Sequence, residues 1–84
     1  MINKEFMEYI GWKVVSHNEN GFLSKKSGQI SILWTEIEYT YNTKEIIINR
    51  VTKLKKKIIK ENMYQGICPD VESFCDIFRL HKYK

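Results

Sequence analysis

Chemistry on a chain of 84 residues must come from a short inventory of reactive side chains. Acyl transfer needs an imidazole held against a nucleophile by a third group. His17 lies in the polar cluster His17-Asn18-Glu19-Asn20-Gly21 and His81 near the C-terminus, so neither position preorganises a triad. They read as a turn residue and a helix-dipole partner. Glu36 and Glu38, two residues apart, share a strand face as paired carboxylates do, but among hydroxyl neighbours they read as solvating charge. Cys68 and Cys75 lack the paired spacing of a zinc site, and two helical turns would hold their Cα atoms roughly 10 Å apart, too far for a disulfide. They are expected to be buried free thiols. Gly11, Gly21, Gly28 and Gly66 stand singly, so no phosphate-cradling loop is present. The expectation is no enzyme, no metal and no cofactor.

Positive charge carries the one affirmative signal. Fourteen Lys and Arg against ten Asp and Glu give +4. Residues 1–46 contribute +5 −6 = −1, residues 47–63 contribute +6 −1 = +5, and residues 64–84 contribute +3 −3 = 0. An excess confined to one segment creates a local potential for phosphate or for an acidic protein face. If residues 44–62 are helical, Arg50, Lys53, Lys57 and Lys60 follow 3, 4, 3 spacing and Lys56 flanks them, a cationic edge able to track a phosphate backbone. Tyr39, Tyr41 and Tyr64 are candidate aromatic contacts for base stacking, although strand aromatics more often pack in a core.

The elements that must position these residues follow from periodicity. Asn3 to Ile10 reads as a short amphipathic helix, with Phe6, Met7 and Ile10 on one side and Gly11 at the C-cap. Trp12–Ser16 and Phe22–Lys26 read as strands joined by a turn at Asn20-Gly21. Gln29–Trp34 follows as a third strand after Ser27-Gly28-Gln29, and Thr35–Tyr41 alternates as its continuation or as a further strand. Advancing about 100° per residue from Thr43 as N-cap, Ile47, Ile48, Val51, Leu54, Ile58, Ile59 and Asn62 share an arc opposite the basic residues, which predicts a helix over 44–62. The competing reading, favoured by the β-branched isoleucines, is a strand at Glu45–Asn49 and another near Ile58–Tyr64. Gly66 should end this element. Pro69 in the first helical turn, with Asp70 and Glu72, starts a last helix reaching about Leu80, with Val71, Phe74, Cys75, Ile77 and Phe78 on its apolar face and Arg79, His81 and Lys82 at its end.

With 43% hydrophobic and 13% aromatic residues, four Gly and one Pro, the chain has the composition of a folded domain. The expected fold is α+β over 1–84: an antiparallel sheet of three to five strands with the short N-terminal helix, the basic amphipathic helix and the C-terminal helix on one face. No apolar run approaches the roughly 18 residues of a membrane span, and the first residues lack a secretion pattern, so a cytoplasmic location is expected.

Glu5-Phe6-Met7-Glu8-Tyr9-Ile10-Gly11-Trp12-Lys13 and Met63-Tyr64-Gln65-Gly66-Ile67-Cys68-Pro69-Asp70-Val71-Glu72-Ser73-Phe74 resemble stretches of small proteins carried by phages and mobile elements of AT-rich bacteria. A short chain rich in Lys, Asn and Ile also looks like many anti-CRISPR inhibitors, which act stoichiometrically on a nuclease or its guide RNA. The resemblance implies a phage-derived binding protein that modulates a host nucleic-acid-dependent complex. The basic charge turns that expectation toward RNA or a protein–RNA complex, with an acidic protein surface as the other partner. The alternative is a protein–protein adaptor or homodimer using Ile37, Tyr39 and Tyr41.

Overall fold

The computed structural model describes the backbone of residues 1–82 and the side chains of residues 1–78; the expected dipole partners Arg79, His81 and Lys82 lie outside the described side chains. Helix α1 (Lys4–Tyr9) is followed by five strands, β1 (Lys13–Asn18), β2 (Gly21–Ser27), β3 (Leu33–Thr40), β4 (Glu45–Leu54) and β5 (Lys57–Ile67), and by helix α2 (Val71–Lys82). The strands form one antiparallel sheet in the order β1-β2-β3-β4-β5, an α+β architecture at the upper end of the expected strand number.

Both helices begin later than expected, each on a side-chain cap. Asn3 Oδ1 accepts the Phe6 N–H at 2.9 Å, and Gly11, with φ of 94°, follows the C-cap Ile10 in a conformation that suits glycine. Asp70 Oδ1 accepts the Ser73 N–H at 2.8 Å, and that backbone bond, more than the Ser73 side chain, holds the Asp70 carboxyl below its ordinary range. Pro69 therefore precedes the cap and stands outside the helix. The first hairpin turns at Glu19-Asn20, where Asn18 Oδ1 accepts from the N–H groups of Asn20 and Gly21, and Gly21 starts β2. A Cβ at Gly21 would lie 1.9 Å from the Tyr39 carbonyl oxygen, so the pairing of β2 with β3 admits no side chain there.

Four expectations are overturned. Gln29–Ile32 is a loop, tied by the Gly28 N–H to Leu33 O and the Leu33 N–H to Ile30 O, both 3.0 Å. The amphipathic helix over 44–62 is instead the β4–β5 hairpin, so the competing strand reading holds, with both strands longer than its bounds. Its two-residue loop, Lys55-Lys56, has no glycine or asparagine, and Lys55 takes φ of 52° to close it. Gly66 does not end the element but lies within β5, and Thr43 sits in a turn where its Oγ1 accepts the Glu45 N–H at 3.3 Å.

Alternation sorts the strands into two faces. Phe22, Ser24, Ile37, Tyr39, Ile46 and Ile48 point to the helices and form, with Ile2, Met7, Trp12, Cys68 and Phe74, a buried core. Edge-to-face pairs Phe6–Phe74 and Trp12–Phe78, with centroids 5.5 and 5.4 Å apart, dock the helices to each other and to the start of β1. Tyr39 donates its hydroxyl to Cys68 O at 2.8 Å, joining the sheet centre to the chain that enters α2.

Candidate functional site

The β4–β5 hairpin is the longest element pair, and it carries the basic segment. Its strands pair out to Leu54 and Lys57, whereas β3 begins at Leu33, opposite Thr52. The end of the hairpin therefore overhangs the sheet. Its last tie to the β2–β3 loop is the Lys53 N–H, donated to Ile32 O at 2.8 Å. Lys53, Lys55, Lys56 and Lys57 are all exposed on this tip, and among the described residues none of their amines has a carboxylate within 4.0 Å. Four like charges on one tip produce a strong local positive potential.

The basic stripe expected on a helix is thereby redistributed. Lys53 and Lys60 project from the face opposite the helices, Arg50 and Lys57 have the parity of the helix-covered face, and Lys56 lies in the loop. Arg50 stands across from Glu61 and lines, with Trp12, Leu33, Phe74 and Phe78, a groove of about 860 Å³ at the margin of the helix-covered side. Lys60 Nζ pairs with Glu36 Oε1 at 3.2 Å. Of the aromatic candidates, Tyr39 is buried and hydrogen-bonded, so it has no ring face for a base. Burial raises the Tyr39 hydroxyl above its ordinary pKa, with Cys68 and Tyr41 adding to the shift. Tyr41 is half-buried, its hydroxyl 3.2 Å from His17 Nε2, and Tyr64 is half-buried against the core. Ile37 is fully buried as well, which removes the strand face expected of an adaptor.

The face away from the helices holds an arrangement that sequence reasoning missed. Read from the tip, its successive rows are Lys53 and Ile58, with the loop residue Ile32 bonded to Lys53 through its carbonyl, then Trp34, Val51 and Lys60 across β3, β4 and β5, then Glu36, Asn49 and Asn62. Lys25 and Lys13 continue the third row on β2 and β1. Trp34 Nε1 donates to Glu36 Oε2 at 2.9 Å, and Lys25 Nζ sits over the indole, 5.4 Å from its centroid. Val51, flanked by Trp34 and Lys60, is fully buried although it lies outside the helix-side core. The alternation Trp34, Glu36, Glu38 against Ile37, Tyr39 was the sequence signal that could have put Trp34 on the exposed side.

The other reactive groups are not assembled. Cys68 is buried and Cys75 exposed, so only one of the two expected buried thiols is buried. Burial pushes the Cys68 thiol up to about 11, with Asp70 adding to it, which suppresses its thiolate at neutral pH. Among the described residues no three His, Cys, Asp or Glu side chains are grouped to hold a metal ion, and no helix is long and apolar enough to cross a membrane. The chain matches no protein-family model, no curated protein and no solved structure.

Proposed function

We propose that this protein is a non-enzymatic binding protein that engages RNA, or a protein–RNA complex, through the lysine tip of the β4–β5 hairpin. Its action is modulation of a host nucleic-acid-dependent complex, of the anti-CRISPR kind that its sequence resembles. The supporting observation is the overhanging tip itself, with Lys53, Lys55, Lys56 and Lys57 exposed and no carboxylate within 4.0 Å among the described residues. A β-hairpin is narrow enough to follow a groove or a strand, and lysines act on phosphate as point charges. Four phosphate contacts would cost roughly 50- to 150-fold in affinity between about 50 and about 200 mM salt.

The test is a titration of labelled structured RNA at those two salt concentrations against the wild type and the triple variant Lys53→Glu, Lys56→Glu, Lys57→Glu. Salt-sensitive binding that disappears in the folded variant supports the reading, and undiminished binding by that variant refutes it. A second reading, a protein–protein adaptor or homodimer, draws on Ile30, Ile32, Leu54, Ile58 and Ile59, large apolar side chains exposed at the same end of the sheet. It predicts a concentration-dependent mass with little response to salt.

A further inference from the structure

We propose that the sheet face opposite the helices is a platform for single-stranded RNA, with Trp34 as the ring on which a base stacks. This rests on the reading that the lysine tip meets phosphate, and it specifies the form of nucleic acid that continues from the tip onto the sheet. The indole is half-buried and preorganised: Glu36 fixes its Nε1, Lys60 fixes Glu36, and fully buried Val51 is its neighbour on β4, which leaves the ring face under Lys25 as the one a base can reach. A ring already held in place loses little freedom when a base docks on it. Lys25 occupies the π-face in the free protein, 5.4 Å from the centroid. A base entering there displaces the ammonium, which is then free to pair with a flanking phosphate.

Charge on this face is segregated along the strands. The half nearest the tip holds Lys13, Lys25, Lys53 and Lys60 against Glu36 alone, whereas Glu38 and Glu45 occupy the far half. The complement is a polyanion lying from Trp34 toward the tip. On that path Ile32 and Ile58 are 42% and 57% exposed, apolar surface for a second base or a ribose. In the row of Glu36, Asn62 Nδ2 donates to Asn49 Oδ1 at 3.1 Å and to Tyr64 O at 3.3 Å, which leaves Asn62 Oδ1 and Asn49 Nδ2 to serve a base edge or a 2′-hydroxyl, the group that distinguishes RNA from DNA. A duplex keeps its base faces stacked inside and cannot use the indole, so the platform selects single strands.

Fluorescence anisotropy with a labelled ten-nucleotide mixed-sequence RNA, its duplex and the matching single-stranded DNA tests this on wild type, Trp34→Ala, Trp34→Phe and the triple lysine variant. The wild type should prefer the single-stranded RNA. Trp34→Ala should lose roughly 5- to 100-fold of that affinity, so that the preference over duplex collapses, while Trp34→Phe keeps most of it. The lysine variant should weaken single strand and duplex together and leave their ratio standing. Quenching of indole fluorescence by the single strand, present in the wild type and lost in Trp34→Phe, reads the same contact if Trp34→Ala does not fold. An unchanged preference in folded Trp34→Ala, or a wild-type preference for duplex, overturns the platform and leaves the lysine tip in place. A preference for the DNA strand overturns the RNA assignment, and binding to none of the three overturns both readings.

Discussion

Ile48 and Val51 are both sealed from solvent, on opposite faces of β4 and by different means. Ile48 sits in a core of aliphatic and aromatic side chains closed by two helices. Val51 lies outside that core, between Trp34 and Lys60, on a face where a hydrogen bond and an ion pair link Trp34, Glu36 and Lys60. The helix-covered face is organised by packing, which is non-directional and tolerates no water. The other face is organised by polar tethers around one aromatic ring, which leaves charged groups in solvent and able to change partners. The first face holds the fold together, and the second is the one proposed to meet RNA.

The widest separation between the faces should appear on truncation. Ile48→Ala is expected to cost about 2–5 kcal/mol in a urea melt, a large part of the stability of so small a domain, because its cavity cannot collapse between sheet and helices. Lys53→Ala, on the other face, should stay within about 0.5 kcal/mol. Equal costs would break the distinction.

Alkali should act on the covered face next. Cys68 and Tyr39 both have raised pKa values through burial, so each contributes stability that is present below its unfolded pKa and lost as pH rises. For Cys68 the loss runs from the ordinary thiol range up to about 11. Thermal melts from pH 7 to 11 should show Tm falling over that window, with a shallower fall in Cys68→Ala. An identical slope in that variant would remove Cys68 as a cause. Native-state alkylation should reach exposed Cys75 and spare Cys68.

Smaller effects sharpen the comparison. Asn3→Ala removes the α1 cap and should cost about 1 kcal/mol while leaving RNA affinity unchanged. Lys55→Asn relieves the left-handed lysine in the hairpin loop and should raise stability by up to about 1 kcal/mol, with a modest loss of RNA affinity from the missing charge.

The covered face was the more legible of the two in the sequence. Gly11 marked the end of α1 by its capping chemistry, Asp70 and Glu72 marked the start of α2 by their charge, and the run from Thr35 to Tyr41 alternated as a strand should. The β4–β5 hairpin was obscured because its basic residues recur at intervals of three and four, which suits a helix, and because its turn is made of lysines. Lys55 accepts a backbone conformation usually left to glycine or asparagine, so no turn signal split the segment. Met63 compounds this as an unpaired residue in β5, between Tyr64 opposite Ile48 and Asn62 opposite Asn49. Trp34 was missed for a different reason. Its place at the boundary between the loop and β3 depends on where pairing starts, and its tie to Lys60 spans 26 residues of sequence through Glu36.

The two tryptophans offer the most direct measurement. Trp12 lies in the helix-side core and Trp34 on the opposite face, so an ¹⁵N-labelled sample gives one indole N–H signal from each. On addition of a single-stranded RNA ten-mer, the Trp34 indole signal should shift together with the amides of Ile32, Lys53, Ile58 and Lys60, while the Trp12 indole and the α1 amides stay in place. Movement of Trp12 and the helix signals with Trp34 unaffected would put binding on the covered side and contradict the assignment of the two faces.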